Sequence, residues 1–403
     1  MGDETHIIEN LANAFHFDLK SSVSPTTQPL LPKESHTHHR TYTPTRKDTS
    51  CRIPKNIAHR GYKAKFPENT LNAFIHAVDV GADGLEADIH ISRDGVVVIS
   101  HDASLKRCFG INKRIVDCDW SYLQSLRTLK SPHEPMPRLA DLLSYLAEPD
   151  QAHISLMLDI KLSNDPETVM RSLSHTIHSI PPPASTPWDK RISLGVWAAK
   201  YLPPQQTHLP TFRPTIITYS LLYARQFLHI PHISLSVNQK VLMNPLCGRR
   251  FLRHVQARGI PLFVWTVNEE NLMRWAVRRC EVVQGVVTDD PVLFERVCRG
   301  IQDGEDGDVE GGGYGLNRSL PLHHHSENYI DKLTHSQCVM VVLAALVSAL
   351  CGAVLLVLQY EDLRALKRGV RYVDRRSYDE EEKGGEGKEE VKMLMLYEDQ
   401  DGV

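Results

Sequence analysis

Gly84-Leu85-Glu86-Ala87-Asp88-Ile89-His90-Ile91 is the stretch on which the fold turns. Read as a β-strand, it places Glu86 and Asp88 two residues apart, so both carboxylates leave the same face of the sheet. The strand is otherwise apolar enough to be buried. Two acids in such a place must share a polar site with other strand ends. Working outward, similar short runs recur at Ile57–Arg60, Val96–His101, Ile154–Ile160, Ile192–Trp197, Thr215–Tyr219, Ile233–Val237, Leu262–Val267 and Val286–Thr288. Stretches with helical spacing separate them, such as Thr70–Val80 with Leu71, Phe74, Ala77 and Val78 on one face and Asn69 or Thr70 as its cap. Strand and helix alternate over a length that suits an α/β TIM (β/α)8 barrel. A doubly wound open sheet is the structural alternative. Nine strands are one more than the barrel needs, so one is a hairpin or edge segment, with Ile192–Trp197 or Thr215–Tyr219 the first candidates.

The rest of the chain frames this domain. Of 403 residues, 24% are charged and the formal net charge is −3, a composition that gives no reason to expect a nucleic-acid partner. The eight cysteines form no CxxC pair and read as free thiols in a reducing compartment. No secretory signal begins the chain, and His6 at the sixth position argues against myristoylation of Gly2. Residues 1–50 are rich in Ser, Thr, Pro and His and are expected to be a disordered, flexible leader. The barrel is expected over 51–300. An acidic, glycine-rich linker follows over 301–337. Cys338 to Leu358 is an uncharged apolar run long enough to be a C-terminal transmembrane helix or a membrane-inserted segment. The tail over 359–403 is first basic, with Arg364, Lys367, Arg368, Arg371, Arg375 and Arg376, and then acidic.

Polar residues collect at the strand ends. His59-Arg60-Gly61 closes the first strand, His101-Asp102 the third, and Asp159 and Lys161 repeat the i, i+2 spacing on the fourth. In a parallel barrel such ends meet at one mouth, where these folds place their chemistry. Glu86, Asp88 and Asp159 would repel one another unless a cation sat among them. Oxygen ligands of this kind suit one hard divalent cation, Mg2+ or Ca2+, better than zinc. Arg60 and Lys161 add donors for a phosphate group, and His59 and His101 provide acid and base near neutral pH. The set describes phosphoryl transfer. His323-His324-His325 and Met393 and Met395 suggest no further site. Glu68 is open to two readings, an orienting role or helix initiation.

These residues resemble the glycerophosphodiester phosphodiesterase family. Ile57-Ala58-His59-Arg60-Gly61, Pro67-Glu68-Asn69-Thr70, Gly84-Leu85-Glu86-Ala87-Asp88, Asp94-Gly95-Val96-Val97-Val98 and His101-Asp102 follow in the family's order. Asp159-Ile160-Lys161, Val264-Trp265-Thr266-Val267-Asn268 and Gly285-Val286-Val287-Thr288-Asp289 continue it, over about residues 55–298. The resemblance implies a TIM barrel, catalytic roles for His59 and His101, metal ligation by Glu86, Asp88 and Asp159, phosphate binding by Arg60 and Lys161, and a pocket lined by Trp265. Most of the family has Glu where Asp159 stands, so the ion must sit closer or a water must bridge.

Leu156–Lys161, Arg191–Trp197 and the Asp159 exchange are further similar to the fungal phosphatidylglycerol-specific phospholipase C branch. That likeness implies cleavage of phosphatidylglycerol to diacylglycerol and glycerol 3-phosphate. The alternatives are a diesterase for soluble deacylated phospholipids and a barrel that binds lipid head groups without turnover. The expected partner is a phospholipid at a membrane surface, with no obligate protein partner. The expected location is a membrane, with the catalytic domain facing the cytoplasm. The apolar run either crosses once or folds back in the interface, where its basic flank meets anionic head groups.

Overall fold

All nine expected strands form: β1 (Lys55–His59), β2 (Gly84–Ile91), β3 (Val97–Ile99), β4 (Ser155–Ile160), β5 (Ile192–Val196), β6 (Arg213–Thr218), β7 (Ser234–Asn238), β8 (Leu262–Trp265) and β9 (Val283–Thr288). The computed structural model describes residues 52–183, 185–244, 247–302, 360 and 362–364. β1 pairs in parallel with both β2 and β9, and the sheet runs β1-β9-β8-β7-β6-β5-β4-β2. A sheet whose first strand bonds to both ends is closed, so eight parallel strands make a TIM-like barrel and the open doubly wound sheet is ruled out.

The surplus strand is β3, and neither Ile192–Trp197 nor Thr215–Tyr219. It pairs antiparallel with β2, Ile89 opposite Ile99 and Ile91 opposite Val97. The reason is chain length. Only residues 92–96 separate β2 from β3, whereas a parallel return needs a crossover of a dozen residues or more. Gly95, at φ +84°, makes the turn. Ser92 Oγ bridges it, donating to Asp94 and accepting from the amide of Val96.

After β3 the chain leaves the barrel rhythm. Residues 100–138 form an insertion with a small core of its own, built from Leu105, Ile115, Cys118, Leu123, Leu126 and Met136 packed beneath Val98. The helix Leu139–Leu146 then resumes the barrel. The expected helix after β1 runs Leu71–Asp79, capped by Thr70, whose Oγ accepts from the amide of Ala73 at 3.2 Å. Asn69 is released from capping for another task.

The core has two layers, as alternation along parallel strands requires. Leu85, Ala87 and Ile89 of β2 and Leu156, Leu158 and Ile160 of β4 are fully or nearly fully buried. The alternate residues face into the barrel. There, His59, Glu86, Met157, Trp197, Ile217, Ser236, Trp265 and Val287 supply one lining residue from each of the eight parallel strands or the position just after it. Arg191, buried at the base of β5, donates to the carbonyls of Ile154, Leu146 and Gln151 and so ties helix Leu139–Leu146 to the strands.

Cys108, Cys118, Cys247 and Cys298 are free thiols, whereas Cys280 is disulfide-bonded. The expectation of free thiols throughout is therefore corrected at Cys280. The expected leader, the linker beyond Gln302, the apolar run 338–358 and all but four residues of the tail lie outside the described residues. Among the described residues no helix is long and apolar enough to cross a membrane.

Candidate active site

The site is assembled by strand register. His59 stands opposite Glu86 across β1 and β2, and Asp88 stands opposite Asp159 across β2 and β4. One oxygen from each of Glu86, Asp88 and Asp159 lies within 4.8 Å of the others, and all three side chains are buried. Lys161 Nζ spans Asp88 Oδ1 at 2.5 Å and Asp159 Oδ2 at 2.8 Å.

The loop after β1 closes on the same carboxylates. Arg60 (φ 58°), Gly61 (φ 78°) and Asn69 (φ 57°) all adopt the left-handed conformation, which is uncommon outside glycine. A Cβ at Gly61 would fall 2.6 Å from the backbone carbon of Ala73. Only glycine fits there. The turn aims Arg60 and Asn69 at one target: Arg60 Nε lies 3.1 Å from Asp88 Oδ2, and Asn69 Nδ2 donates to the same oxygen at 2.6 Å. The amide of Arg60 donates to Glu86 Oε2 at 3.0 Å. Strained residues held by such a set of partners are a mark of functional loops.

Each histidine is braced by a carboxylate. His59 Nδ1 donates to Asp289 Oδ1 at 2.6 Å, and His101 Nδ1 to Asp102 Oδ1 at 2.7 Å. Asp289 also accepts from Lys63 and Asn268, and Asp102 from Arg107. Arg107 grips Glu68 with two further bonds of 2.9 and 2.8 Å, so the insertion is tied to the loop that carries Arg60. Glu68, which also accepts from Arg60 at 2.9 Å, therefore orients cations; helix initiation belongs to Thr70.

Burial dominates the electrostatics. It lowers the pKa of His59, with Arg60 adding to the effect and Asp289 opposing it. His101 is depressed to about 3 by burial and by Lys161 and Arg60, so both rings are neutral at neutral pH. Burial would raise Asp88, but Lys161 and Arg60 outweigh it and hold that carboxyl well below the usual range. Glu86 is pushed well above its ordinary value by burial and by Asp88 and Asp159, and Asp159 is raised by burial despite Lys161. Three converging carboxylates thus have more negative charge than Lys161 and Arg60 can settle. A hard divalent cation with oxygen ligands fits this donor set.

The pocket brings together His59, Arg60, Glu86, His101, Asp159, Lys161 and Trp265, with Asp88 fully buried beneath. One wall is aromatic: Trp197 and Trp265 line it and Tyr219 packs against both, with ring centroids 5.5 to 6.2 Å apart. The charge of Arg60 and Lys161 is committed first to carboxylates, which the expectation of simple phosphate donors did not include.

Sequence reading missed Asp102, Asp289, Asn69, Lys63 and Arg107 as partners. The dipeptides His101-Asp102 and Thr288-Asp289 at strand ends were the available signal. It also missed Trp197, whose Nε1 donates to Asp159 Oδ1 at 2.7 Å. With Oδ2 on Lys161, this bond fixes the shorter aspartate at the position where a longer glutamate is usual. Partners that orient a metal-binding side chain typically contribute about 10- to 100-fold in affinity. Trp197→Phe keeps the aromatic wall and removes only the donor. A calorimetric titration of Mg2+ or Ca2+ is expected to give binding weaker by about tenfold; unchanged affinity would mean that Asp159 needs no such tether.

The chain is similar to known proteins over the barrel. A family profile described as "Glycerophosphoryl diester phosphodiesterase family" matches residues 59–293. The chain is 28% identical over 277 residues to mouse "Lysophospholipase D GDPD1", covering 60% of this chain and 85% of the relative. A glycerophosphodiester phosphodiesterase of Caldanaerobacter subterraneus is 23% identical over 251 residues, covering 60% and 97%. In fold, the chain is similar to an Oleispira antarctica phosphodiesterase solved in complex with sn-glycerol-3-phosphate, with a TM-score of 0.53, 19% identity and coverage of 61% and 97%.

Proposed function

Because this chain belongs to the glycerophosphoryl diester phosphodiesterase family and is a phosphoric diester hydrolase, we propose that it cleaves phosphatidylglycerol at a membrane surface to diacylglycerol and glycerol 3-phosphate. The observation that carries the chemistry is the pair of carboxylate-braced imidazoles, His59–Asp289 and His101–Asp102, on one pocket with the triad Glu86, Asp88 and Asp159. The Asp159 exchange and the segments Leu156–Lys161 and Arg191–Trp197 support phosphatidylglycerol as the lipid.

The residues divide the work. Each aspartate holds Nδ1–H of its histidine, so each ring exchanges protons with substrate through Nε2. One ring takes the proton of the free head-group hydroxyl as its oxygen attacks phosphorus, giving a cyclic phosphate. The other protonates the departing diacylglycerol oxygen, and water then opens the ring. Arg60 and Lys161, on the pocket side of the carboxylates, receive the phosphoryl oxygens. A divalent cation held by Glu86, Asp88 and Asp159 would neutralise negative charge on those oxygens. The aromatic wall excludes water from the head-group pocket, and the acyl chains stay outside it. The barrel works from the cytoplasmic side of the membrane, held there through the apolar run 338–358.

A second reading draws on the names of the relatives. The lysophospholipase D relative suggests head-group release from lysophospholipids, and the soluble glycerophosphodiesters remain a third class. The test is a panel: phosphatidylglycerol, lysophosphatidylcholine and glycerophosphocholine, each with and without chelator. Diacylglycerol is expected from phosphatidylglycerol, abolished by chelator and by removal of the head-group hydroxyl next to the diester. Faster choline release from lysophosphatidylcholine would replace the phosphatidylglycerol reading, and activity that persists in chelator would sink the metal site.

A further inference from the structure

Charge is unevenly distributed along this chain. Between Asp189 and Glu269 there is no Asp or Glu, against ten Lys and Arg, although the whole protein carries 49 acids and 46 bases. The tract covers β5 to β8, so the cations of this flank have no acids within the tract itself. They concentrate on two helices packed together, Leu221–Arg225 and Cys247–Ala257. Arg225, Arg250, Arg253 and Arg258 all lie close enough to His254 to lower its pKa. Arg250, Arg253 and Arg258 are exposed, and among the described residues none of Arg225, Arg249, Arg250 or Arg253 has a carboxylate partner. Four arginines elsewhere on the surface are paired: Arg93 with Asp119, Arg114 with Asp117, Arg138 with Asp141 and Arg299 with Glu295. A self-repelling patch costs stability unless an anionic partner relieves it.

Two further features indicate which anion. Leu222, beside this patch on helix Leu221–Arg225, is 44% exposed. That helix follows β6 directly after Tyr219 of the aromatic wall, so it starts at the mouth of the barrel. Secondly, the residues just after the apolar run come near this flank: Asp362 lies close enough to Tyr223, also in helix Leu221–Arg225, to act on its hydroxyl. Only Gln359, Tyr360 and Glu361 separate Leu358, the end of the uncharged run, from Asp362.

We infer that the arginine flank formed by Arg225, Arg249, Arg250, Arg253 and Arg258, with Leu222, docks the barrel on an anionic lipid bilayer, along the side of the barrel where helix Leu221–Arg225 leaves the mouth. This rests on the reading that the substrate is a membrane lipid. The arginines meet head-group phosphates, and Leu222 meets the interface. A basic residue near an anionic surface contributes roughly a fivefold gain in binding, and the effect is screened by salt.

The test uses the full chain and sedimentation with two kinds of vesicle, phosphatidylcholine alone and phosphatidylcholine with phosphatidylserine. Phosphatidylserine is chosen so that binding is read without turnover. The double variant Arg250→Gln/Arg253→Gln is expected to bind the anionic vesicles about twentyfold more weakly. It should hydrolyse a soluble diester at the native rate, and its residual binding should depend less on salt. Arg250→Lys/Arg253→Lys keeps the charge and should bind as the native protein does. Unchanged binding of the glutamine pair overturns the proposal, as does equal loss in the lysine pair. Stronger retention on a polyanionic RNA than on vesicles would assign the flank to another partner and overturn it too. Charge-dependent docking without phosphatidylglycerol hydrolysis would leave the docking surface standing and remove the substrate reading.

Discussion

His101→Ala is expected to lower turnover of the diester by about a hundredfold to ten-thousandfold, the range for loss of a general acid or base, with little change in folding. The local geometry separates the two effects. Asp102 loses the ring but keeps two bonds from Arg107, at 2.7 and 3.1 Å, so no buried carboxylate is orphaned. His90 Nε2 donates to the main-chain carbonyl of residue 101, and that bond survives the exchange. His59→Ala should behave the same way, because Asp289 keeps Lys63 and Asn268. Stability should change by only about 1 kcal/mol in each case. Initial rates together with thermal melting check both halves. A variant that keeps more than a tenth of native turnover would remove that histidine from proton transfer.

Asp88→Ala is the second large effect, and it is directed at folding. Asp88 is fully buried and is the common acceptor for Lys161, Arg60 and Asn69. Its removal leaves a buried ammonium shared with Asp159 alone and a guanidinium held chiefly by Glu68. Removing one partner of such a buried pair costs about 3–5 kcal/mol. For a barrel of this size that corresponds to a fall of roughly 10 °C in Tm. Glu86→Gln, by contrast, removes a charge that is already disfavoured by burial and by its neighbours, and should melt near the native temperature. If Asp88→Ala melts like Glu86→Gln, the ion-pair network does not hold the mouth together. Divalent cation should rescue neither variant's activity.

Much of this site was legible because its members stand at strand ends in short local patterns. Glu86 and Asp88, and Asp159 and Lys161, declare a shared face through i, i+2 spacing alone. Trp197 and Asp289 were not legible as partners. Trp197 lies 38 residues from Asp159, and Asp289 lies 230 residues from His59. Trp197 reaches its partner because β4 and β5 are neighbours, and Asp289 because β9 closes on β1. β3 was misplaced for a different reason. Its apolar composition is that of a barrel strand, and only the short loop 92–96 with Gly95 reveals the hairpin.

By itself, then, the sequence determined the alternation of strand and helix, the residues that end each strand and the chemistry they can support. All of these follow from local periodicity and side-chain type. The tertiary structure decided that the sheet closes, that β3 stands outside it, and that Glu86, Asp88 and Asp159 meet within 4.8 Å. It also decided that Arg60 and Lys161 answer first to carboxylates, and that the cations between Asp189 and Glu269 gather on one flank. Register and ring closure join residues far apart in the chain, and no local pattern encodes which distant charge will be nearest once the barrel has shut.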